Sequence, residues 1–429
     1  MNNTIQFGSL NPSMKYIVCK IKSDNHISVQ IRVNAGSRDE KNNILGISHL
    51  LEHMFFQGSE KYPTQKDLES AIYECGGSFN AYTSKSSTVF FIDASKKCLE
   101  KTIDIISYAF YHSLFHEKNF MNEKKVVVNE INDYLSQPST LSWYGVDEIS
   151  FKNTRLEKDI AGSEKSVNSI TVDKLKNYIN TYYSKNVIVS LAGNFTTEKG
   201  YQLLKKYFNK KPHYQVKKIP AIIDDKKRIL YPNFNHKQKK MNVKYVHKNV
   251  EQSFITITFP SYKYSDQKTY ITSLISQLLT GYMSSKLYNV LRNKHGLVYH
   301  ISSGEDIYED LGRFHIHCST KNNSKSINEC VHYILQVLET LKDSVTKKEF
   351  NECKKHLIES MKLNKNNAHW SAKNYALDLY YLKKIRSIQD EIKLIQQVQI
   401  KDIQNISTKI FQKHLMNICY TAKQNYLKI

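Results

Sequence analysis

In the stretch GISHLLEHMFFQGS, residues 46–59, His49 and His53 stand four apart with Glu52 directly before the second. On a helix, side chains at i and i+4 share a face one turn apart, so the two imidazoles can converge on one ion at about 2 Å from each nitrogen. Glu52 lies three residues from His49, close to that face. It can stand beside the ion without binding it, as a base toward water activated by the metal. Two imidazoles leave a tetrahedral zinc site one protein ligand short, and a His₂Glu site takes a carboxylate from elsewhere. The same residues also fit an amphipathic helix that packs Ile47, Leu50, Leu51 and Met54 inward and leaves its histidines partly solvated.

The order H-x-x-E-H inverts the commoner zinc motif H-E-x-x-H. GISHLLEHMFFQGSEKYPT, continuing into GGSFNAYTS, resembles the N-terminal signature of the pitrilysin/insulinase family of metallopeptidases, particularly its processing-peptidase branch, and the resemblance covers nearly the whole chain. It implies one Zn²⁺ per chain and a third ligand about 77 residues beyond the second histidine, a count that lands on Glu130 in NEKKVVVNEINDYL. A helix through that segment places Glu123 and Glu130 two turns apart along one face, with Val126 and Val127 packing between them. Glu130 is the expected ligand. Glu123 is expected to orient a ligating histidine, the alternative being a solvated helix acid.

Two further segments match the family. Asn80 and Ala81 sit where the family has an edge strand that pairs with extended substrate backbone, although Asn80 also suits a turn. LRNKHGLVY resembles the family's R-x-x-x-x-G-L-x-Y pattern, so Arg292 and Tyr299 are expected to contact substrate, the Tyr299 phenol reaching the oxyanion. A surface Arg and an ordinary buried Tyr are the plain reading of the same pair. The resemblance implies a zinc endopeptidase cutting extended or unfolded peptides inside a clamshell chamber of four such domains. With both motifs on one chain, it implies a homodimer whose sites are shared between subunits, a heterodimer being the other possibility. Relatives of this family also serve as catalytically silent structural subunits.

The elements that must position these residues are legible as a repeat. Strand-like KYIVCKI and ISVQIRVNAG precede the motif helix, and SFITITF precedes a helical TYITSLISQLLTGY, so strand, loop and helix recur. Counting 18 residues from Ile31 reaches His49, and 18 from Ile255 reaches Ser273. That register puts Ser273 and Gln277 where the first half has its histidines. The expected fold is α+β, two similar domains each with a mainly antiparallel sheet covered by helices. The catalytic domain is expected over 1–212, a basic linker over 213–228, and a domain without zinc ligands over 229–429. Pro138 is expected to end the helix that carries Glu130.

The 429 residues suit two domains, and the 40% hydrophobic content is that of a globular chain. A formal charge of +22 raises nucleic-acid binding as a different class of function, but the lysines are dispersed and form no patch between stacking aromatics. Seven scattered cysteines, with no metal-ligand spacing, fit reduced thiols. With no signal, transit or membrane-spanning pattern in view, the expectation is a cytoplasmic protein that binds neither membrane nor nucleic acid.

Overall fold

The computed structural model describes residues 4–21, 25–183, 186–209, 214, 230–231 and 238–428. Among the described residues eleven strands are formed: β1 Thr4–Asn11, β2 Met14–Lys20, β3 His26–Val33, β4 Ser78–Thr83, β5 Thr88–Ser95, β6 Val187–Gly193, β7 Asn242–His247, β8 Gln252–Ser261, β9 Val298–Ile307, β10 Gly312–Lys321 and β11 Asn417–Ala422. They make a six-stranded sheet in the order β1-β2-β6-β3-β5-β4 and a five-stranded sheet in the order β7-β11-β8-β10-β9. Among these strands β2 runs parallel to β6 and β11 to β7, the other neighbours being antiparallel. Setting β1 aside, the two sheets have the same order and the same strand directions, so the chain is α+β and repeats one scaffold.

The helices are α1 Ile47–Phe55, α2 Gln65–Tyr73, α3 Leu99–Tyr111, α4 Glu117–Ser136, α5 Pro138–Ser150, α6 Glu164–Asn168, α7 Val172–Tyr178, α8 Thr197–Tyr207, α9 Thr269–Thr280, α10 Ser324–Ser344, α11 Lys347–Asn364, α12 Ala368–Leu382, α13 Ile388–Gln397 and α14 Ile400–Ile410. One compact unit comprises Met1–Asn132, Lys158–Ile229 and Lys362–Arg386; the other comprises Asp133–Glu157, Leu230–Met361 and Ser387–Ile429. These units are not the contiguous halves expected from the sequence. α5, from the first half of the chain, belongs to the second unit, and α12, from the second half, belongs to the first. The expected linker at 213–228 lies, apart from Tyr214, outside the described residues.

Small residues make this exchange possible. Ala368, Ala372 and Ala376 of α12 pack on Ile17, Cys19, Ile188 and Ala192 of the first sheet, and β3 is buried along almost its whole length. α5 brings Gly145 so close to β11 that a Cβ there would lie 2.2 Å from Cys419 Sγ. Pro138 has two roles: α4 stops at Ser136, and Pro138 opens α5 at its first position, where a missing N–H costs nothing. The sequence reading had only the stop. All seven cysteines are unpaired, and among the described residues no helix is long and apolar enough to cross a membrane.

Candidate metal centre

Helix α1 buries Ile47, Leu50, Leu51, Met54 and Phe55, which leaves the polar face to His49, Glu52 and His53. Its start is unusual. Gly46, the N-cap, has a left-handed φ of 87° and no side chain to cap with; a Cβ there would meet the Ala161 carbonyl at 2.3 Å. The cap comes from a distance. Glu40, 1% exposed, accepts the Gly46 N–H at 2.7 Å with Oε2 and the Ser48 N–H at 2.8 Å with Oε1, occupying two orphan donors of the helix. Burial pushes the Glu40 carboxyl up to about 8, against these donors. The Ser48 hydroxyl meets Tyr178 OH from α7 at 2.7 Å.

Helix α4 carries the carboxylates. Phe120, Lys124, Val127 and Ile131 are its buried stripe, and Lys124 Nζ donates to the carbonyls of Asn168 at 2.8 Å and Ile170 at 2.9 Å. Glu123 and Glu130 are thereby turned toward α1. Glu130 Oε2 lies 3.3 Å from His53 Nε2 and 3.6 Å from His49 Nε2, and one donor atom from each of the three residues falls within 4.8 Å of the others. Ligands held about 2 Å from a tetrahedral zinc are about 3.3 Å apart, so the spacing suits that ion.

The surrounding groups fit a cation. His53 Nδ1 meets Glu123 Oε2 at 3.1 Å, and Gln57 Nε2 donates to Glu123 Oε1 at 3.0 Å. With Nδ1–H given to Glu123, His53 Nε2 keeps its lone pair for the centre. Burial would lower His53, but the hydrogen bonds to Glu123 and Glu130 carry it up to about 9: the carboxylates draw a positive charge into this spot. Burial and the neighbouring His53 hold His49 down at about 4, leaving it a neutral donor. Its buried Nδ1 has no hydrogen-bond partner among the described residues.

Glu52 is placed beside the triad. Its Oε2 accepts a 2.7 Å hydrogen bond from Thr83 Oγ1, and burial raises its carboxyl above the usual range despite that bond. Thr83 ends β4, the edge strand of the first sheet. On β4, Asn80 is exposed and Ala81 half-buried, and Asn80 Oδ1 accepts the Ala81 N–H at 2.8 Å. Arg292 and Tyr299 belong to the second unit. Tyr299 is 78% exposed, not an ordinary buried tyrosine, and the Arg292 guanidinium lies 5.0 Å from its ring centroid.

The second unit repeats the scaffold in register. Val33, Thr88 and Thr83 form one cross-strand row, and Ile257, Ile316 and Ser303 form its counterpart. Ile257 stands 224 residues after Val33, and the same shift carries His49, Glu52 and His53 to Ser273, Ser276 and Gln277. Ser276 Oγ lies 3.0 Å from Ser303 Oγ, so the helix-to-strand contact survives where the carboxylate and imidazoles do not.

Sequence reasoning missed Glu40, Gln57 and Thr83. Glu40 lay in a polar loop, Gln57 just beyond the motif, and Thr83 in a strand read for its backbone. An uncapped glycine opening the motif helix is the one sequence feature that asks for a distant acceptor.

Residues 16–164 match the family model described as Insulinase (Peptidase family M16), and residues 169–357 match that described as Peptidase M16 inactive domain. An uncharacterized zinc protease, YmxG, of Bacillus subtilis is 26% identical over 387 residues, 90% of each chain. The mitochondrial-processing peptidase subunit beta of Neurospora crassa is 25% identical over 393 residues, 89% of this chain and 80% of its own. The crystal structure of a protease from Helicobacter pylori shares the fold with a TM-score of 0.87 at 20% identity, covering 98% of this chain and 99% of that one. The match to the model called inactive includes Ser273, Ser276 and Gln277.

Proposed function

The chain belongs to the pitrilysin/insulinase family, peptidase family M16, and from that premise we propose that it is a zinc endopeptidase acting on extended or unfolded peptides. The observation that carries this reading is the convergence of His49, His53 and Glu130 within 4.8 Å with the Glu52 carboxylate beside them. We assign His49, His53 and Glu130 as the ligands of one Zn²⁺ per chain. Zinc bound there supplies Lewis acidity, polarising a peptide carbonyl and acidifying water at the site. Glu52 accepts the proton released as that water attacks and returns it to the departing amine. Glu123 holds His53 in the tautomer that presents Nε2. The edge of β4 at Asn80 and Ala81 offers backbone pairing to an extended substrate, a mode in which main-chain hydrogen bonds would supply affinity with little sequence demand.

Arg292 and Tyr299 are assigned to substrate binding, with the exposed Tyr299 phenol donating to the developing oxyanion. In a homodimer, each zinc site would use the partner subunit's Arg292 and the partner subunit's Tyr299; a relative named as a subunit supports assembly of some kind. The seven unpaired cysteines support a reducing compartment, the cytoplasm.

The test is metal analysis of the purified protein with chelator-sensitive cleavage of an internally quenched peptide. One zinc per chain and loss of cleavage on chelation are expected. Glu52→Gln should keep zinc and lose roughly 10²–10⁴-fold in kcat. A metal-free protein that still cuts, or a Glu52→Gln variant at full activity, would overturn the reading.

A further inference from the structure

We propose that Thr83 is a positioning residue for the base: its hydroxyl fixes the Glu52 carboxylate so that Oε1 is the oxygen turned to the proton. The inference rests on the peptidase reading and deepens it.

Glu52 has three side-chain torsions and sits on the polar face of α1, so the helix backbone alone does not fix its carboxylate. Thr83 does. Its Oγ1 lies 2.7 Å from Glu52 Oε2 and 3.5 Å from the Ser48 carbonyl on the same helix. A hydroxyl has one proton to give, and the shorter contact shows that Glu52 receives it. That bond holds Oε2 and, together with a hydrogen bond from the Thr83 backbone to the same carboxylate, sets its last torsion, so that on this assignment Oε1 is the oxygen that serves proton transfer.

Two features make this more than a chance contact. Thr83 is held hard: it closes β4 opposite Thr88 of β5, and Thr88, which is fully buried, donates to the Ala35 carbonyl at 3.0 Å. The second feature is the repeat. Ser303, at the same cross-strand row, still reaches Ser276, the counterpart of Glu52, with Ser276 Oγ donating to the Ser303 carbonyl at 3.0 Å. The scaffold therefore joins this helix position to this strand position in both units. Only where the helix carries a carboxylate does the hydroxyl have a base to aim. Because β4 is also the edge proposed to pair with substrate, one strand would set both the peptide and the base that serves it.

Thr83→Val removes the hydroxyl and keeps the branched bulk that suits a strand; Thr83→Ser keeps the donor. Zinc per chain, melting temperature, KM and kcat are measured for both. The valine variant should hold one zinc, melt within a few degrees of wild type, keep KM within about twofold and lose roughly 10–100-fold in kcat. The serine variant should recover most of that loss. Wild-type kcat in the valine variant would overturn the assignment, as would a defect confined to KM or a serine variant as slow as the valine one. Loss of zinc from Thr83→Val would make Thr83 part of the metal scaffold instead. A wild-type protein with neither zinc nor chelator-sensitive turnover would sink the peptidase reading itself, a different result from any of these.

Discussion

His53 and Glu123 lie 3.1 Å apart, Nδ1 to Oε2, across the space between α1 and α4. That bond fixes the ring so that Nε2 faces Glu130. Glu123→Gln keeps the shape but replaces a charged acceptor with an amide that can present N–H to the imidazole. Zinc affinity should fall roughly 10–100-fold, measured by competition with a chromogenic chelator. An unchanged affinity would return Glu123 to the role of a helix acid held by Gln57.

Glu40 should matter to the stability of the first unit. Glu40→Ala leaves the Gly46 and Ser48 N–H groups without their acceptor inside the protein. Each buried orphan costs about 1–3 kcal/mol, so a loss on the order of 2–6 kcal/mol is expected in urea unfolding of the metal-free protein. A variant as stable as wild type would show that solvent reaches this end of α1.

These two residues show what could and could not be read from the chain. His49, Glu52 and His53 announce themselves because helical spacing converts directly into a shared face, and Glu130 followed from a resemblance supported by the seven-residue step to Glu123. The repeat was legible too: the count that paired His49 with Ser273 is the shift that aligns the cross-strand rows. Glu40 and Thr83 were not legible. Each acts through a contact set by how the chain returns on itself, and a polar residue in a loop or strand carries no periodicity. The exchange of α5 and α12 was hidden for a related reason: Pro138 reads as a stop in either topology, and only packing shows that it also starts a helix of the other unit.

That exchange is open to test at Gly145. A Cβ added there would fall 2.2 Å from Cys419 Sγ and 3.4 Å from Cys419 Cβ, so only the sulfur stands in the way. Gly145→Ala should cost about 1–3 kcal/mol by overpacking. On a Cys419→Ala background the same substitution should cost less than half as much, a coupling that a double-mutant cycle reads directly. Equal costs on both backgrounds would mean that α5 does not rest on β11 as described.

Sharing of the site between subunits predicts complementation. Glu52→Gln removes the proposed base from one unit and Tyr299→Phe removes the proposed oxyanion donor from the other, so each proposed homodimer should be slow. After subunit exchange, half of the sites in a mixed dimer would combine an intact Glu52 with an intact Tyr299. Recovery toward one quarter of wild-type activity is expected from a statistical 1:1 mixture, about half of it being mixed dimers with one restored site each. No recovery, with exchange proven by a mass tag, would place both groups of a site on one chain.

The pH response of the second unit should be governed in part by His317. Its Nδ1 meets Thr256 Oγ1 at 2.9 Å and its Nε2 meets Ser139 Oγ at 3.1 Å, with Trp143 stacked at 5.3 Å between centroids. Burial, reinforced by His315 and His300, holds the ring down at about 4. An unfolded chain binds a proton here near 6.5, well above the folded value, so between these limits the unfolded state holds more protons than the folded one. Stability contributed by neutral His317 is therefore present above about pH 6.5 and is lost as pH falls toward 4. In zinc-loaded protein, where the proposed ligand His49 would be committed to the metal, the melting temperature should drop through this window. His317→Gln, which offers an amide to the same two hydroxyls but no titrating ring, should melt lower than wild type at pH 7.5 and approach it at pH 4.5. Parallel curves for the two proteins would show that the acid loss arises elsewhere.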